Sequence, residues 1–374
     1  MITEVLDGGL VTFSGSRPKL DHSSMDVSLA DEAYLMQKGA VKPSAQASYK
    51  WFITQKLKVA EKHTRLRDGS YELERRKTYV FRLQEKLEAK LRNGEVIYGQ
   101  ATAKSSVGRV DVLARLIVDG MQTYECFDPA GLMRGSGEMF LEITPITFNV
   151  RVKPDTSLSQ LRFFYGRPDD VVIKGKELFR TIFRDAEHSD ESLTVNLCNA
   201  TIGDHVSNRK GVAFRSKLEV PAAVSLWPVE NKPNPSDYWD IESADEFERL
   251  YIKPDIFYIL RSKEKLTVPK GVAIYCRASD ETIGEMRIHY AGFVHPYFGL
   301  YREDGTKGTP LIFEVRGHQI PVSLADQEKM ANLIFYRMSE DCPTLTEEEE
   351  KAEAKGYGSQ ELKLSKFFAD WAAE

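Results

Sequence analysis

The segment "KSSVGR" concentrates hydrogen-bond donors that could hold an anion. Lys104 and Arg109 supply positive charge. Ser105 and Ser106 supply short hydroxyl donors. Gly108 would permit a tight turn that aims these side chains and neighbouring backbone N–H groups at one point. Residue types and spacing leave two interpretations open, a phosphate-binding turn and an ordinary solvated turn.

Glu142 is a second candidate because it interrupts the apolar, strand-like stretch "MFLEITP". A carboxylate in apolar surroundings must be paired, or its pKa rises toward the range that is useful for a general base. The alternative is a glutamate that faces solvent on an alternating strand.

The C-terminal segment "KGYGSQELKLSKFF" is a third candidate. Gly358, Ser359 and Gln360 are typical of a segment that can close over a ligand. Chain ends often carry glycine and move freely, so this pattern alone does not identify a function.

Composition limits the class of protein. The 374 residues predict two domains, and 42% hydrophobic with 29% charged residues is ordinary for a globular chain. A net charge of −5 argues against a nucleic-acid or anionic-membrane partner. There is no signal-peptide pattern and no run of about 18 apolar residues, so we expect neither secretion nor a membrane span. Four separated cysteines without a CxxC pair favour a reduced, cytoplasmic chain without a zinc site.

Alternating apolar residues predict a mainly β chain with a few connecting helices. The predicted strands are at 78–89, 148–152, 158–166, 255–262 and 271–276. The predicted helices are at 174–188, 243–251 and 345–355, the last being an acidic run that reads as a solvated helix or a disordered link.

Two long segments repeat one another without a gap. "MFLEITPITFNVRVKPDTSLSQLRF" begins at Met139 and "LIFEVRGHQIPVSLADQEKMANLIF" begins at Leu311, an offset of 172 residues that aligns Glu142 with Glu314. A looser pair, "YVFRLQEKL" and "FYILRSKEKL", precedes the two copies in the same order. The repeat predicts a duplicated β domain. We expect a first domain over 1–175, a diverged second domain over 176–342 and a C-terminal arm over 343–374.

Together these features resemble the dCTP deaminase and dUTPase superfamily, in particular the long, duplicated dCTP deaminases of bacteria. The resemblance covers most of the chain and rests on the order and number of motifs. They are "HSSMDVSLADEAY", "ATAKSSVGRVDVLARLI", "LEITPITFNVRVKPDTSLSQLRF", "DIFYILRSKEKLTVPKG", "IGEMRIHYAGFVHPYFG" and "YGSQELKLSKFF". The resemblance implies tandem dUTPase-like domains of the β-clip, or distorted β-barrel, type.

The implied activity is a metal-independent, hydrolytic deamination at C4 of the cytosine in dCTP. Glu142 matches the family's catalytic glutamate, which deprotonates the attacking water. Arg109 matches the arginine of the S-S-x-x-R motif beside the chemistry. Ser105 and Ser106 match its serines, which hold water and triphosphate, and Lys104 is assigned to the substrate with them. Mg²⁺ would arrive on the triphosphate, no zinc would be used, and residues 358–360 would fold over the nucleotide.

Departures from the family pattern indicate which copy holds the site. Asp128 in "CFDPAGLMRGSG" matches an aspartate that meets deoxyribose in dUTPase-type proteins, although its spacing to Glu142 is longer than in single-domain relatives. Copy two has His295 at that place and lacks the K-S-S-x-x-R pattern. We therefore place the deaminase site in copy one. Copy two is expected to be structural or regulatory, or to complete a site through Arg277, His295 or Glu314.

Two other functions remain open. One is a dUTP diphosphatase, or a bifunctional enzyme that runs both steps. The other is a non-catalytic, nucleotide-binding regulatory module. Single-domain relatives assemble as trimers with sites between subunits, so the resemblance also implies a homo-oligomer, with a trimer as one form.

Overall fold

The computed structural model describes residues 2–88, 96–183, 190–198, 211–278, 286–288, 292–301, 308–355 and 361–371. Backbone proximity divides the chain into two compact units. Unit 1 comprises Met1–Asp170 and Ala222–Glu230, and unit 2 comprises Val171–Pro221 and Asn231–Glu374. Within the described ranges, no helix has the length and apolar character needed to cross a membrane.

Unit 1 is built from short strands and shorter helices. Its strands within the first 170 residues are β1 (Val11–Phe13), β2 (Met25–Met36), β3 (Ala60–Lys62), β4 (Tyr71–Leu73), β5 (Tyr79–Leu87), β6 (Ile97–Ala103), β7 (Val112–Val118), β8 (Cys126–Phe127), β9 (Glu138–Pro145), β10 (Val150–Val152) and β11 (Ser157–Tyr165). Its helices are α1 (Ile2–Asp7), α2 (Tyr49–Trp51), which continues as a π-helical turn over Phe52–Lys56, α3 (Ser105–Gly108) and α4 (Pro129–Arg134).

A nine-stranded sheet forms the body of unit 1. Its main path is β7-β9-β5-β2-β11-β6-β8, with β1 added to β5 and β3 added to β2. Glu125 links β6 to β7, because its N–H donates to the carbonyl of Leu116 (2.9 Å) and its carbonyl accepts from the N–H of Ala101 (2.7 Å). The sheet therefore curls toward a distorted barrel. A second, three-stranded sheet joins β4, β10 and Val224–Ser225.

Unit 2 has the same kind of architecture. The strands that follow in the chain are β12 (Val172–Ile173), β13 (Ser192–Thr194), β14 (Ala213–Ser216), β15 (Val224–Ser225, in unit 1), β16 (Trp239–Glu242), β17 (Arg249–Ile252), β18 (Phe257–Leu266), β19 (Val272–Ala278), β20 (Met286–Ile288), β21 (Gly292–Val294), β22 (Thr309–Gly317), β23 (Val322–Ala325) and β24 (Lys329–Arg337). Its α-helices in the described ranges are α5 (Lys176–Phe183) and α6 (Glu347–Glu353). The described strands form sheets β12-β24-β19-β21 with β13 on β24, β16-β14-β18-β22-β20, and β17-β23.

The pairing of strands confirms the duplication read from the sequence. β11 and β24 begin and end 172 residues apart. In unit 1, Val80 of β5 lies opposite Glu142 of β9. In unit 2, Ile259 of β18 lies opposite Glu314 of β22. The prediction of a mainly β protein with tandem, barrel-like domains is therefore confirmed.

A contact between a glutamate and a backbone N–H repeats with the strands. In unit 1 the N–H of Ser28 donates to the carboxylate of Glu85 at 2.8 Å. In unit 2 the N–H of Thr194 donates to Glu264 at the same distance. The two units thus share side-chain interactions as well as strand order.

One predicted helix is wrong. Residues 243–251 form a turn that leads into β17, which pairs with β23. The carboxylate of Asp245 accepts from the N–H groups of Phe247 and Arg249, both at 2.9 Å, and Glu248 is left-handed with φ 57°. An aspartate that captures nearby N–H groups in this way competes with a helix. The other two predicted helices are present as α5 and α6, and residues 184–188 lie outside the described part of the chain.

Candidate active site

Glu142 lies on an inner strand of the main sheet of unit 1. It lies on β9, opposite Val80 of β5 and Arg115 of β7. Its side chain is only 1% exposed. A buried carboxylate without a cationic or hydrogen-bonding partner would be costly, so its partners define the chemistry available here.

Two side chains hold the Glu142 carboxylate. The Nε of Arg115 donates to Oε1 at 3.0 Å, and Nη2 of the same guanidinium also contacts Oε1. The hydroxyl of Tyr124 donates to Oε2 at 3.0 Å. The guanidinium carbon of Arg115 lies 4.1 Å from the centre of the Tyr124 ring, a cation–π contact. Glu142, Arg115 and Tyr124 thus form one interlocked group, which we call the Glu142 cluster.

Aromatic residues on the same face of the sheet keep the surroundings apolar. Tyr49 packs against Phe140 with ring centres 5.7 Å apart, and its hydroxyl donates to the carbonyl of Val41 at 2.6 Å. Burial first, and then the negative charge of Glu142, raise the pKa of both Tyr49 and Tyr124. Both phenols are therefore protonated at neutral pH, and Tyr124 acts as a hydrogen-bond donor.

The "KSSVGR" segment folds as one helical turn, α3, between β6 and β7. Asp111 follows the turn. It is fully buried, and its backbone has a left-handed conformation with φ 57°. The hydroxyl of Thr147 donates to the Asp111 carboxylate at 2.5 Å, and the N–H of Ile146 donates to its carbonyl at 2.9 Å. The left-handed residue after this turn is therefore an aspartate, and Gly108 itself is helical.

The predicted donors of this turn differ in exposure. Ser105 is exposed and Ser106 is half-buried. Arg109 is buried, and its N–H closes the turn by donating to the carbonyl of Ser105 at 3.0 Å. Lys104 forms an ion pair with Asp26 of β2, with 2.5 Å between Nζ and Oδ2. Ser105 is thus the predicted donor most open to solvent.

Asp128 has a structural partner in this fold. It precedes α4, and its Oδ1 accepts from the N–H of Gly131 at 2.6 Å. This is an N-cap interaction, which the sequence Asp-Pro at a helix start favours.

The candidate residues of copy two lie on different elements of unit 2. Arg277 is exposed on β19, opposite Asn332 of β24. His295 is buried, with 2.6 Å between Nδ1 and the carbonyl oxygen of Pro296. Glu314 is buried on β22. Burial, followed by the charge of Glu314, raises the pKa of the Cys276 thiol to about 12.

The C-terminal segment packs within unit 2. Residues 358–360, which the sequence assigned to the nucleotide, lie outside the described residues. Directly after them, Glu361 pairs with Arg261 of β18, and Phe368 packs against Tyr238 and Trp239 with ring centres 5.2 and 5.9 Å away. The residues after position 360 are therefore anchored.

Sequence reasoning did not single out Arg115 and Tyr124. Arg115 is the one charged residue in the β7 stretch "VLARLIV", just as Glu142 is in "FLEIT". A single charge in each of two apolar strands is a signal for a cross-strand pair. The strand register that places Arg115 opposite Glu142, however, depends on the assembled sheet and cannot be read from the sequence of either strand.

The fold and the Glu142 cluster define the class of protein. It is a tandem, β-barrel-like protein whose first unit contains a buried glutamate paired with an arginine. The N-terminal domain model of the 2'-deoxycytidine 5'-triphosphate deaminase family matches residues 4–167. The C-terminal domain model of that family matches residues 184–368. Because the two matches together span most of the sequence, the chain belongs to the 2'-deoxycytidine 5'-triphosphate deaminase family.

A solved structure shares the architecture of the whole chain. It is the 2'-deoxycytidine 5'-triphosphate deaminase from Agrobacterium tumefaciens, which is 24% identical with a TM-score of 0.72. The match covers 91% of this chain and 97% of that one. At this identity, the likeness shows a common fold. A search of curated proteins gave no match.

Proposed function

We propose that this protein deaminates dCTP hydrolytically in unit 1, with Glu142 as the general base. Family membership supplies the substrate class. The observation that carries the assignment of a base is the buried Glu142 carboxylate on β9, which Arg115 and Tyr124 hold.

The proposed reaction needs water and no redox partner. Glu142 takes a proton from water, the resulting hydroxide adds to C4 of the cytosine, and Glu142 passes that proton to N3. Glu142 then transfers the proton of the new C4 hydroxyl to the amino group, which leaves as ammonia while a carbonyl forms at C4. The products are dUTP and ammonia, and the carboxylate is regenerated. No step in this scheme requires a protein-bound metal.

The α3 turn supplies the remaining proposed roles. Arg109 stabilises charge near the reacting ring, and Ser105 and Ser106 hold water and phosphate oxygens. Lys104 is assigned to the substrate side of the turn, where its ion pair with Asp26 would also stabilise the end of β6. Mg²⁺ is treated as part of the substrate, bound to the triphosphate.

The bifunctional alternative depends on Asp128. Its bond to the N–H of Gly131 gives this aspartate a structural reason to be present. We therefore propose deamination without diphosphate release.

Incubation with dCTP, CTP or dUTP and Mg²⁺, followed by chromatography of the products, tests the proposal. We expect dCTP to yield dUTP and ammonia, with the triphosphate intact. Formation of dUMP and diphosphate would support the bifunctional enzyme instead. Nucleotide binding without any product would support the regulatory module.

A further inference from the structure

We infer that Arg115 and Tyr124 are positioning residues that hold the Glu142 carboxylate in one orientation and direct its Oε2 toward the reacting water. This inference rests on the proposed function and adds two residues to it. The supporting observation is that the two oxygens of the Glu142 carboxylate have different partners. Oε1 accepts hydrogen bonds from two nitrogens of the Arg115 guanidinium, whereas Oε2 accepts one from the hydroxyl of Tyr124.

Hydrogen-bonding capacity explains why the asymmetry matters. Each carboxylate oxygen has about two acceptor sites. The two N–H donors of Arg115 fill those of Oε1, whereas Tyr124 fills one of the two on Oε2. Oε2 therefore has the capacity to accept a proton from water.

The arrangement is built into the sheet. Arg115 lies directly opposite Glu142 in the β7–β9 ladder, so strand register fixes the distance between them. The stacking of Arg115 on the Tyr124 ring fixes both partners in turn. A carboxylate held in this way does not reorient between turnovers, which favours efficient proton transfer.

Few charged groups surround the cluster. The charged or titratable side chains on this face include Arg115 from β7, Tyr124 from the loop after it, Tyr49 from α2, and Arg82 of β5, which is paired with Glu32 (3.1 Å). Glu125, next to Tyr124, also interacts with the Arg115 charge, and burial raises the pKa of its carboxyl to about 8. Arg115 is the cation bonded to Glu142, so its removal would take the ion-pair partner away from a buried carboxylate.

The test is the measurement of kcat and KM for dCTP in Arg115→Gln, Arg115→Lys and Tyr124→Phe. For Arg115→Gln we expect at least a tenfold loss of kcat with little change in KM, because a misplaced base slows the chemical step without removing a contact to the substrate. Arg115→Lys keeps the charge but loses the planar fork of donors, so it should restore part of the lost kcat. Tyr124→Phe should lower kcat about fivefold with little change in KM.

Arg151→Gln is the matched control. Arg151 also belongs to unit 1, its side chain is 28% exposed like that of Arg115, and it pairs with a carboxylate, Asp68. We expect this variant to keep the wild-type kcat and KM, because its ion pair lies outside the Glu142 cluster.

A folded Arg115→Gln enzyme with wild-type kcat would overturn the inference and would show that the ion pair is only structural. If Arg115→Gln does not fold, wild-type kcat in both Arg115→Lys and Tyr124→Phe would overturn it. A failure of this inference can be distinguished from a failure of the proposed function, because Glu142→Gln tests the proposed function alone. Loss of activity in Glu142→Gln with wild-type behaviour of the Arg115 and Tyr124 variants would reject this inference alone.

Discussion

Three acidic side chains of unit 1 illustrate how differently a carboxylate can be held. Glu142 is bonded to a guanidinium and a phenol, Asp128 to a helix N–H, and Asp26 to the ammonium of Lys104. The partners of Asp128 and Asp26 account for those groups as parts of the framework. The Glu142 cluster is different, because it places a buried charge on an inner strand, where an apolar residue would also fit the sheet. Residue type alone could not separate these cases.

Asp128 gives a prediction at this scale. Asp128→Asn keeps an oxygen that can accept from the N–H of Gly131, so we expect its free energy of unfolding to change by only a few tenths of a kcal/mol. Asp128→Ala removes the cap and should cost about 1 kcal/mol. Urea unfolding of the two variants measures both values. Equal, near-zero effects would contradict the capping role, and loss of a diphosphatase activity in Asp128→Asn would restore the bifunctional alternative.

At the scale of elements, the contact between Glu85 of β5 and Ser28 of β2 links two central strands of unit 1. Glu85 is 2% exposed. Burial raises the pKa of Glu85 to about 7, although the Ser28 N–H opposes the shift. Between pH 4.5 and 7 the folded state therefore holds a proton that the unfolded state has lost. Stability contributed by this group is present at low pH and is lost as pH rises through 7.

Glu85→Gln should remove this dependence. The amide oxygen can still accept from Ser28, and the variant carries no charge. We expect the gain in free energy of unfolding to be about 2 kcal/mol larger at pH 8 than at pH 5. Urea unfolding at the two pH values measures it. Glu264→Gln in unit 2 is the control, since Glu264 makes the same contact but is half-buried. A gain in unfolding free energy equal to that of Glu85→Gln would contradict the argument from burial.

At the scale of the whole molecule, the C-terminal residues belong to the core of unit 2. Phe368 is 2% exposed between Tyr238 and Trp239. Phe368→Ala should therefore cost about 3 kcal/mol of unfolding free energy. Phe247, which is 67% exposed, provides the control, and Phe247→Ala should change stability little. Similar losses in the two variants, measured by urea unfolding, would contradict the anchoring of this segment.

Much of the fold could be predicted because its signal is local and occurs twice. The alternation of apolar residues in "YVFRLQEKL" covers all of β5. The repeat makes β11 and β24 equivalent strands of the two copies. The helix predicted at 243–251 failed because the side chain of Asp245 captures two backbone N–H groups. Glu142 could be found as a charge in an apolar strand. Its partner Arg115 could not, because cross-strand register depends on the assembled sheet.

The two buried glutamates of the repeat allow the most direct test of the central claim. Glu142 and Glu314 occupy equivalent positions on β9 and β22. The measurement is ammonia release from dCTP by the wild type, Glu142→Gln and Glu314→Gln, with dCTP binding measured in parallel. The predicted result is that Glu142→Gln binds dCTP but releases ammonia at least a thousandfold more slowly, whereas Glu314→Gln remains active. Wild-type ammonia release by Glu142→Gln would contradict the account.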